Sequence, residues 1–262
     1  MQQTLSVAII TKNEEANLAR TLAIVQFADQ IVVLDSGSTD RTVEIARAAN
    51  AEVYQESWAG FAAAKNSAIA KCTGAWVLSL DADEELTQEL QTEIRALLRS
   101  DPPVDAYFIR RRNLFLGRWI KHGGFYPDPK LRLFRRVGST ASPQFEARPV
   151  HETIAFEGKT ATLQHDLIHH AYPTLENYIE HMNRYSTLGS EVLVSKGKVS
   201  RSWLAFVCNV VLVPKLNFVW NYFFRLGFLD GREGLLLHLY QAAYTSWKYA
   251  KAWDTACKTR NS

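Results

Sequence analysis

The stretch Val77-Leu78-Ser79-Leu80-Asp81-Ala82-Asp83-Glu84-Glu85 decides the fold. A short β-favouring run, bounded upstream by Gly74, enters a cluster of carboxylates, and such a run reads as a buried strand. A charge is not left unpaired in a core, so the chain surfaces at Asp81. Asp81 and Asp83 then mark the carboxyl end of a central strand, where open α/β sheets bind their ligands. Two carboxylates one residue apart can hold a hard divalent cation whose other positions go to phosphate oxygens and water. The plainer reading is a strand end followed by a helix N-terminus, with Glu84 and Glu85 favoured there by the helix dipole.

Upstream, apolar runs at Leu5 to Ile10 and Gln30 to Leu34 and a shorter one at Glu52 to Tyr54 read as strands. The segments between them are helical: Leu18, Leu22 and Val25 share one face, Val43 and Ala46 another, and Gly60 to Cys72 is a small-residue helix carrying Lys65 and Asn66. Strands alternating with helices imply parallel β-α-β units. Three strand ends carry polar groups: Thr11 to Glu14, Asp35, and Asp81 with Asp83. If their strands are neighbours, all three meet at one crevice. A dinucleotide-binding turn and a P-loop both need glycines that Thr11 to Glu15 lacks. Glu14 and Glu15 lie too far into the turn for a receiver domain.

Downstream, a helix follows Thr87, with Leu90, Ile94, Leu97 and Leu98 inward. Ala106 to Ile109 is a strand, and Arg110-Arg111-Arg112 reads as its solvated end. A loop rich in Gly, Pro and aromatics contains Asp128. Lys130 to Arg136 alternates, which leaves Arg132 and Arg135 available for a phosphate or for solvent. His151-Glu152 follows Arg148-Pro149-Val150, and His165, His169 and His170 lie within six residues. Any of these histidines could ligate a metal, although hydrogen-bonded structural roles are commoner. From Thr174 the pattern is helical.

The tail is apolar and aromatic from Trp203 to Val213 and again from Leu216 to Leu229, with Pro214 and Lys215 expected to break it. Neither run reaches the roughly 20 residues of a spanning helix. Apolar runs punctuated by Lys and Arg fit helices lying in a membrane interface; the competing reading packs them on the domain or on a second copy in a homo-oligomer. A net charge of +3 gives no argument for nucleic acid. Cys72, Cys208 and Cys257 are widely spaced and odd in number, which fits reduced thiols in the cytoplasm. The first residues have no signal-peptide pattern.

These motifs, in this order, resemble the family-2 glycosyltransferases of GT-A fold. The family's T-x-N-E-type turn is matched by Thr11-Lys12-Asn13-Glu14, and its D-x-x-S-x-D-x-T segment by Asp35 to Thr42. Its A-[RK]-N helix is matched by Ala64-Lys65-Asn66, and its D-x-D by Asp81-Ala82-Asp83. Gly123 to Asp128, Arg132-Leu133-Phe134-Arg135, Val150-His151-Glu152 and Gly227 to Gly231 are similar to a narrower subgroup, the lipopolysaccharide inner-core β-1,4-glucosyltransferases.

The resemblance implies an α/β GT-A fold: a Rossmann-like, mostly parallel central sheet flanked by helices, with a C-terminal helical extension. It divides the chain into a nucleotide-sugar half over 1–105, an acceptor half over 106–172 and a helical extension over 173–262. It implies an inverting hexosyltransferase with a UDP-sugar donor, UDP-glucose first. The acceptor would be a lipid-linked glycan such as the lipopolysaccharide core, met at the inner face of the cytoplasmic membrane. Thr11, Glu14, Asp35, Lys65, Asp81, Arg132 and Arg135 would bind the nucleotide sugar. Asp83 would hold Mg²⁺ or Mn²⁺, with Asp81, His169 or His170 as further ligands. Glu152 is the expected base and Asp128 the alternative. A nucleotidyltransferase, a non-catalytic relative, and transfer to a capsular, teichoic or protein-linked glycan are the competing readings.

Overall fold

The computed structural model describes residues 3–136, 144–146 and 153–258. In chain order, β1 (Leu5–Thr11), α1 (Leu18–Ile24), β2 (Gln30–Asp35), α2 (Thr42–Ala48), β3 (Glu52–Gln55), α3 (Phe61–Ala70) and β4 (Trp76–Asp81) form successive β-α-β units. Then come β5 (Glu84–Leu86), α4 (Gln88–Leu98), β6 (Ala106–Phe115), β7 (Arg118–Trp119), β8 (Pro129–Arg135), β9 (Gln144–Glu146), β10 (Thr153–Ala155), β11 (Thr160–Tyr172) and α5 (Leu175–Ser195). The described residues form two compact units, Met1–Arg112 with Asp128–His169, and Asn113–Pro127 with His170–Ser262.

The main sheet has the order β3-β2-β1-β4-β8-β6-β11-β5. Its first four strands are parallel, with Thr11 opposite Asp35 and Ile10 opposite Asp81. β8 runs antiparallel to β4, with Trp76 opposite Arg135. Period-two alternation buries both faces of the parallel strands. Val7, Ile9, Val33, Leu78 and Leu80 enter one core, and Ala8, Val32, Leu34 and Val77 enter the other. Each of these Val, Leu and Ile side chains contributes about 1.5–3 kcal/mol on burial. The turn into β4 needs a glycine: a Cβ at Gly74 would lie 2.7 Å from the Ser6 nitrogen.

Several elements differ from the sequence reading. Glu84 and Glu85 do not open a helix. They form β5, antiparallel to β11 with Glu84 opposite His169; α4 starts after Thr87, where the sequence reading puts it, with the Thr87 hydroxyl accepting from the Leu90 N–H. The strand at Ala106 continues through the arginine triplet to Phe115. The histidine-rich segment is likewise the end of one long strand, β11.

In the second unit, Phe115, Ile120, Tyr178, Met182 and Leu237 form a core of their own. Pro214 does not break the tail. One helix runs from Trp203 to Phe224, 22 residues, long and apolar enough by length and composition to cross a membrane. A π-helical turn at Cys208–Leu212 ends two residues before Pro214. Its wider winding accommodates the proline ring and the missing N–H, which would clash in a regular helix interior. The last helix, Gly231–Lys258, follows a short 3₁₀ turn.

Candidate active site

At the ends of β1 and β2 two turns are laced together. The Asn13 N–H donates to Ser38 Oγ at 2.8 Å, and the Thr39 N–H donates to Asn13 Oδ1 at 2.8 Å. The Glu14 N–H donates to Thr42 Oγ1 at 2.8 Å, and the Glu15 N–H to Asp40 Oδ2 at 3.2 Å. Asp35 lies beneath, fully buried. It accepts from Thr11 Oγ1 at 3.3 Å, from the N–H groups of Gly37 and Ser38 at 3.1 and 3.0 Å, and from the Ser38 hydroxyl. Burial pushes its pKa up, but the Ser38 and Gly37 donors outweigh that and hold it below the usual carboxylate range.

Glu14 behaves in the opposite way. Its carboxylate accepts from Asn17 Nδ2 at 2.9 Å. Burial nevertheless raises its pKa, and the negative charges of Asp83, Asp40 and Asp81 raise it further. Glu14 therefore feels both carboxylates of the β4 end. The strand order β2-β1-β4 brings the three polar strand ends side by side.

Beneath the β4 end runs a chain of alternating charges. Lys65 Nζ is 2.8 Å from Asp81 Oδ1, and Arg132 is 2.6 Å from Asp81 Oδ2. Arg132 also reaches Glu84, which Arg111 approaches at 3.2 Å. Arg111 then lies 2.6 Å from Asp128, and Asp128 is 3.0 Å from Lys130. Lys65 and Arg132 are each only 3% exposed, and Glu84 is 0% exposed. The free oxygen of Glu84 accepts the Asp81 N–H at 3.1 Å, which ties the network to the turn itself. Burial would raise the Asp81 pKa, but Arg132 and Lys65 hold it well below the usual range. Asp128 is desolvated too, yet Arg111 and Lys130 bring it down to about 2.

Asp83 faces His169, with Oδ2 3.4 Å from Nε2. Burial raises its pKa, His169 lowers it more, and the net shift is downward. Among the described residues no group of three or more His, Cys, Asp or Glu is arranged to hold a metal by itself. Asp83 and His169 nonetheless fit a cation that takes most of its ligands from a diphosphate and water, as Mg²⁺ does in nucleotide sites. Both Asp81 oxygens already face cations, so Asp81 fits this role less well.

The structure does not bring every expected residue here. Arg135 lies opposite Trp76, at the other end of β4, where it bonds Asp101 at 2.9 Å and stacks on the Trp76 ring. Asp81 lies five steps along the strand from Trp76, roughly 16 Å. Arg132 and Arg135 are three apart on one strand and so point to opposite faces. His170 belongs to the second unit, where it borders a shallow pocket with Leu114, Leu116 and Tyr172. Glu152 lies outside the described residues.

Conversely, sequence reasoning passed over Arg111 and Glu84. Strand periodicity was the available signal for the triplet: Arg110 and Arg112 both bond Asp166, at 3.0 and 2.9 Å, while Arg111 faces the other way. The triplet is an ion-paired strand interior, not a solvated end.

The model of glycosyl transferase family 2 matches residues 6–152. The chain belongs to glycosyl transferase family 2. An uncharacterized glycosyltransferase of Rickettsia typhi is 31% identical to this transferase, covering 98% of it and 89% of its own length. The lipopolysaccharide core biosynthesis glycosyltransferase LpsC of Rhizobium meliloti is 27% identical, covering 95% and 92%. The mannosyltransferase PcManGT of Pyrobaculum calidifontis, solved with GDP-Man and Mn²⁺, superposes with a TM-score of 0.53 at 17% identity, covering 97% of this chain and 88% of its own. That likeness shows the fold, GT-A, which is the fold expected from the motifs.

Proposed function

We propose that this family 2 transferase moves a hexose, glucose first, from a UDP-sugar to a cell-envelope glycan, inverting the anomeric centre in one displacement. The favoured acceptor is the inner-core heptose of lipopolysaccharide, and the likeness to LpsC supports that choice. The observation that carries the reading is the meeting of Thr11, Glu14 and Asp35 with Asp81 and Asp83 at adjacent strand ends. In it, Thr11, Glu14 and the ionised Asp35 receive the uridine. Lys65 and Arg132, both tethered to Asp81, set positive charge beside the diphosphate. Mg²⁺ or Mn²⁺ held by Asp83 and His169 would, when bound, stabilise the charge growing on the departing UDP. The acceptor hydroxyl loses its proton to a base on the side away from UDP. Glu152 takes that role here. Asp128, held at about 2, is a weak proton acceptor. Thermal shift with a panel of nucleotide sugars and Mn²⁺ tests the donor: UDP-glucose should raise Tm most, and a preference for GDP- or ADP-sugars would overturn the assignment.

The same reading places the protein on the cytoplasmic side of the membrane, where a lipid-linked acceptor is presented. Trp203 (79% exposed), Leu216, Trp220, Phe223 and Phe224 expose apolar surface along one helix. No Asp or Glu occurs from residue 192 to 229, whereas Lys196, Lys198, Arg201, Lys215 and Arg225 do. An apolar stripe within an acid-free basic stretch suits an anionic lipid surface. The full chain should sediment with anionic vesicles at low salt and less so at high salt. A chain that stays in the supernatant and runs as a dimer would favour the second-copy reading.

A further inference from the structure

Where β3 ends, the chain leaves the sheet beside Asp35. Gln55 stands opposite Asp35 in the β2–β3 register, and its side chain hydrogen-bonds that carboxylate. The next residue, Glu56, donates its N–H to the Asp35 carbonyl at 3.0 Å. The Glu56 carboxylate is tied to α3 and the residue after it, accepting from Ser67 Oγ at 2.7 Å and pairing with Lys71 Nζ at 2.8 Å. Glu56 therefore pins the start of the loop 57–60. Gly60 closes the loop with a φ of +99°, which glycine adopts without strain, and α3 begins at Phe61.

Two large rings stand out on this short connection. Trp58 is 44% and Phe61 43% exposed. Their ring centres are 4.8 Å apart with the planes at 88°. An edge-to-face contact sets the edge of one ring on one face of the other. Whichever ring lies edge-on, at least one face of the indole is left uncovered by Phe61. Trp58 follows Glu56 by two residues, so its Cα lies within about 7 Å of the Cα of the residue bonded to Asp35.

The strand order β3-β2-β1-β4 sets these features in a line. Asp81 and Asp83 lie at the β4 end, Thr11 and Asp35 at the β1 and β2 ends, and the Trp58 loop beyond β3. Three strand spacings, about 14 Å, separate the extremes. A nucleoside diphosphate with its metal at Asp83 and its nucleoside over Asp35 brings its base to the β3 end of that line.

We infer that Trp58, propped by Phe61, is the stacking platform for the nucleobase of the donor, with the open indole face taking the flat face of the pyrimidine. The inference rests on the reading of this crevice as the UDP-sugar site. Because every base has a π-face, Trp58 contributes affinity and leaves the choice of base to the polar groups beside Asp35.

The test uses the full chain with Mn²⁺, titrated by calorimetry with UDP and, as a probe that has no base, with inorganic pyrophosphate. Trp58→Ala should weaken UDP about 5- to 150-fold, the range for removing a ring that stacks on one base, and leave pyrophosphate within about twofold. Trp58→Phe keeps an aromatic face and should bind UDP within about fivefold of wild type. In transfer from UDP-glucose, Trp58→Ala should raise KM with kcat nearly unchanged, since a base remote from the reacting carbon is held equally in the ground and transition states. The substitution alters an exposed side chain, so Tm should stay within about 2 °C of wild type. Wild-type UDP affinity in Trp58→Ala, beside lost Mn²⁺-dependent binding in Asp83→Ala, overturns the platform and leaves the donor site intact. A wild-type chain that binds no UDP overturns the donor reading and this inference with it. An equal loss of UDP and pyrophosphate would make Trp58 a support of the crevice, and lost binding to anionic vesicles at unchanged UDP affinity would make the ring pair a lipid contact; either result overturns the platform.

Discussion

Replacing Glu84 tests whether the buried charge chain holds the β4 turn. Its carboxylate is fully buried, meets Arg132 and Arg111 through one oxygen and accepts the Asp81 N–H through the other. Removing one partner of a buried ion pair costs about 3–5 kcal/mol when the remaining charge is stranded. Here neither arginine is stranded, because Arg132 keeps Asp81 and Arg111 keeps Asp128, each at 2.6 Å. For Glu84→Gln, which can still accept from the Asp81 N–H, the cost should sit below that range, at about 2–3 kcal/mol. Glu84→Ala also orphans the Asp81 N–H, which adds about 1–3 kcal/mol, so a total near 4 kcal/mol is expected. At about 2–4 °C per kcal/mol for a chain of this size, Glu84→Gln should lower Tm by about 5–10 °C. Thermal scanning at pH 7, without nucleotide, reads this directly. If both variants lie within about 1 kcal/mol of wild type, the alternating chain does not hold the turn and the reasoning is wrong.

Three further outcomes are expected. Asp83→Ala and His169→Ala should each abolish the Mn²⁺-dependent part of UDP binding, read by calorimetry, while the fold persists; unchanged affinity in both would remove the metal assignment. Asp128 titrates at about 2 in the folded chain, below the ordinary 3.8. Its ion pairs therefore stabilise the fold above the unfolded pKa, and the contribution, about 2 kcal/mol, is lost as pH falls from about 4 to 2. Asp128→Asn should flatten stability across that window in acid titrations, and an unaltered slope would contradict it. Glu152→Gln should lower kcat about 10²-fold or more with UDP-sugar binding nearly unchanged; if Asp128→Asn loses turnover instead, the base is Asp128.

The parallel half of the fold was legible in the sequence because its strands are short, apolar and separated by turn chemistry. Those signals are local, and the carboxylates at the strand ends are where a buried strand must surface. What was missed depends on partners far away in sequence. Glu84 reads as a helix-start acid until β11 and the arginines of β6 and β8 are known to lie beside it. The alternation over Lys130 to Arg136 leaves both arginines available for a phosphate, but a spacing of three puts them on opposite faces, and only the pairing with β4 shows Arg135 at the far end from Asp81. Pro214 reads as a break because a one-dimensional pattern cannot show the π turn that accommodates it. Asn66 carries no signal of its two hydrogen bonds to the Phe145 backbone, since Phe145 lies 79 positions away.

We propose that the crevice at the β1, β2 and β4 ends transfers glucose from UDP-glucose. Its most direct test is the NMR spectrum of the product formed by the full chain, UDP-glucose, Mn²⁺ and a heptose-terminated lipopolysaccharide core. Glucose in β linkage together with released UDP is expected, and neither from Asp83→Ala. An α-linked product would contradict the inverting displacement. Folded protein that neither releases UDP nor binds it would contradict the site itself.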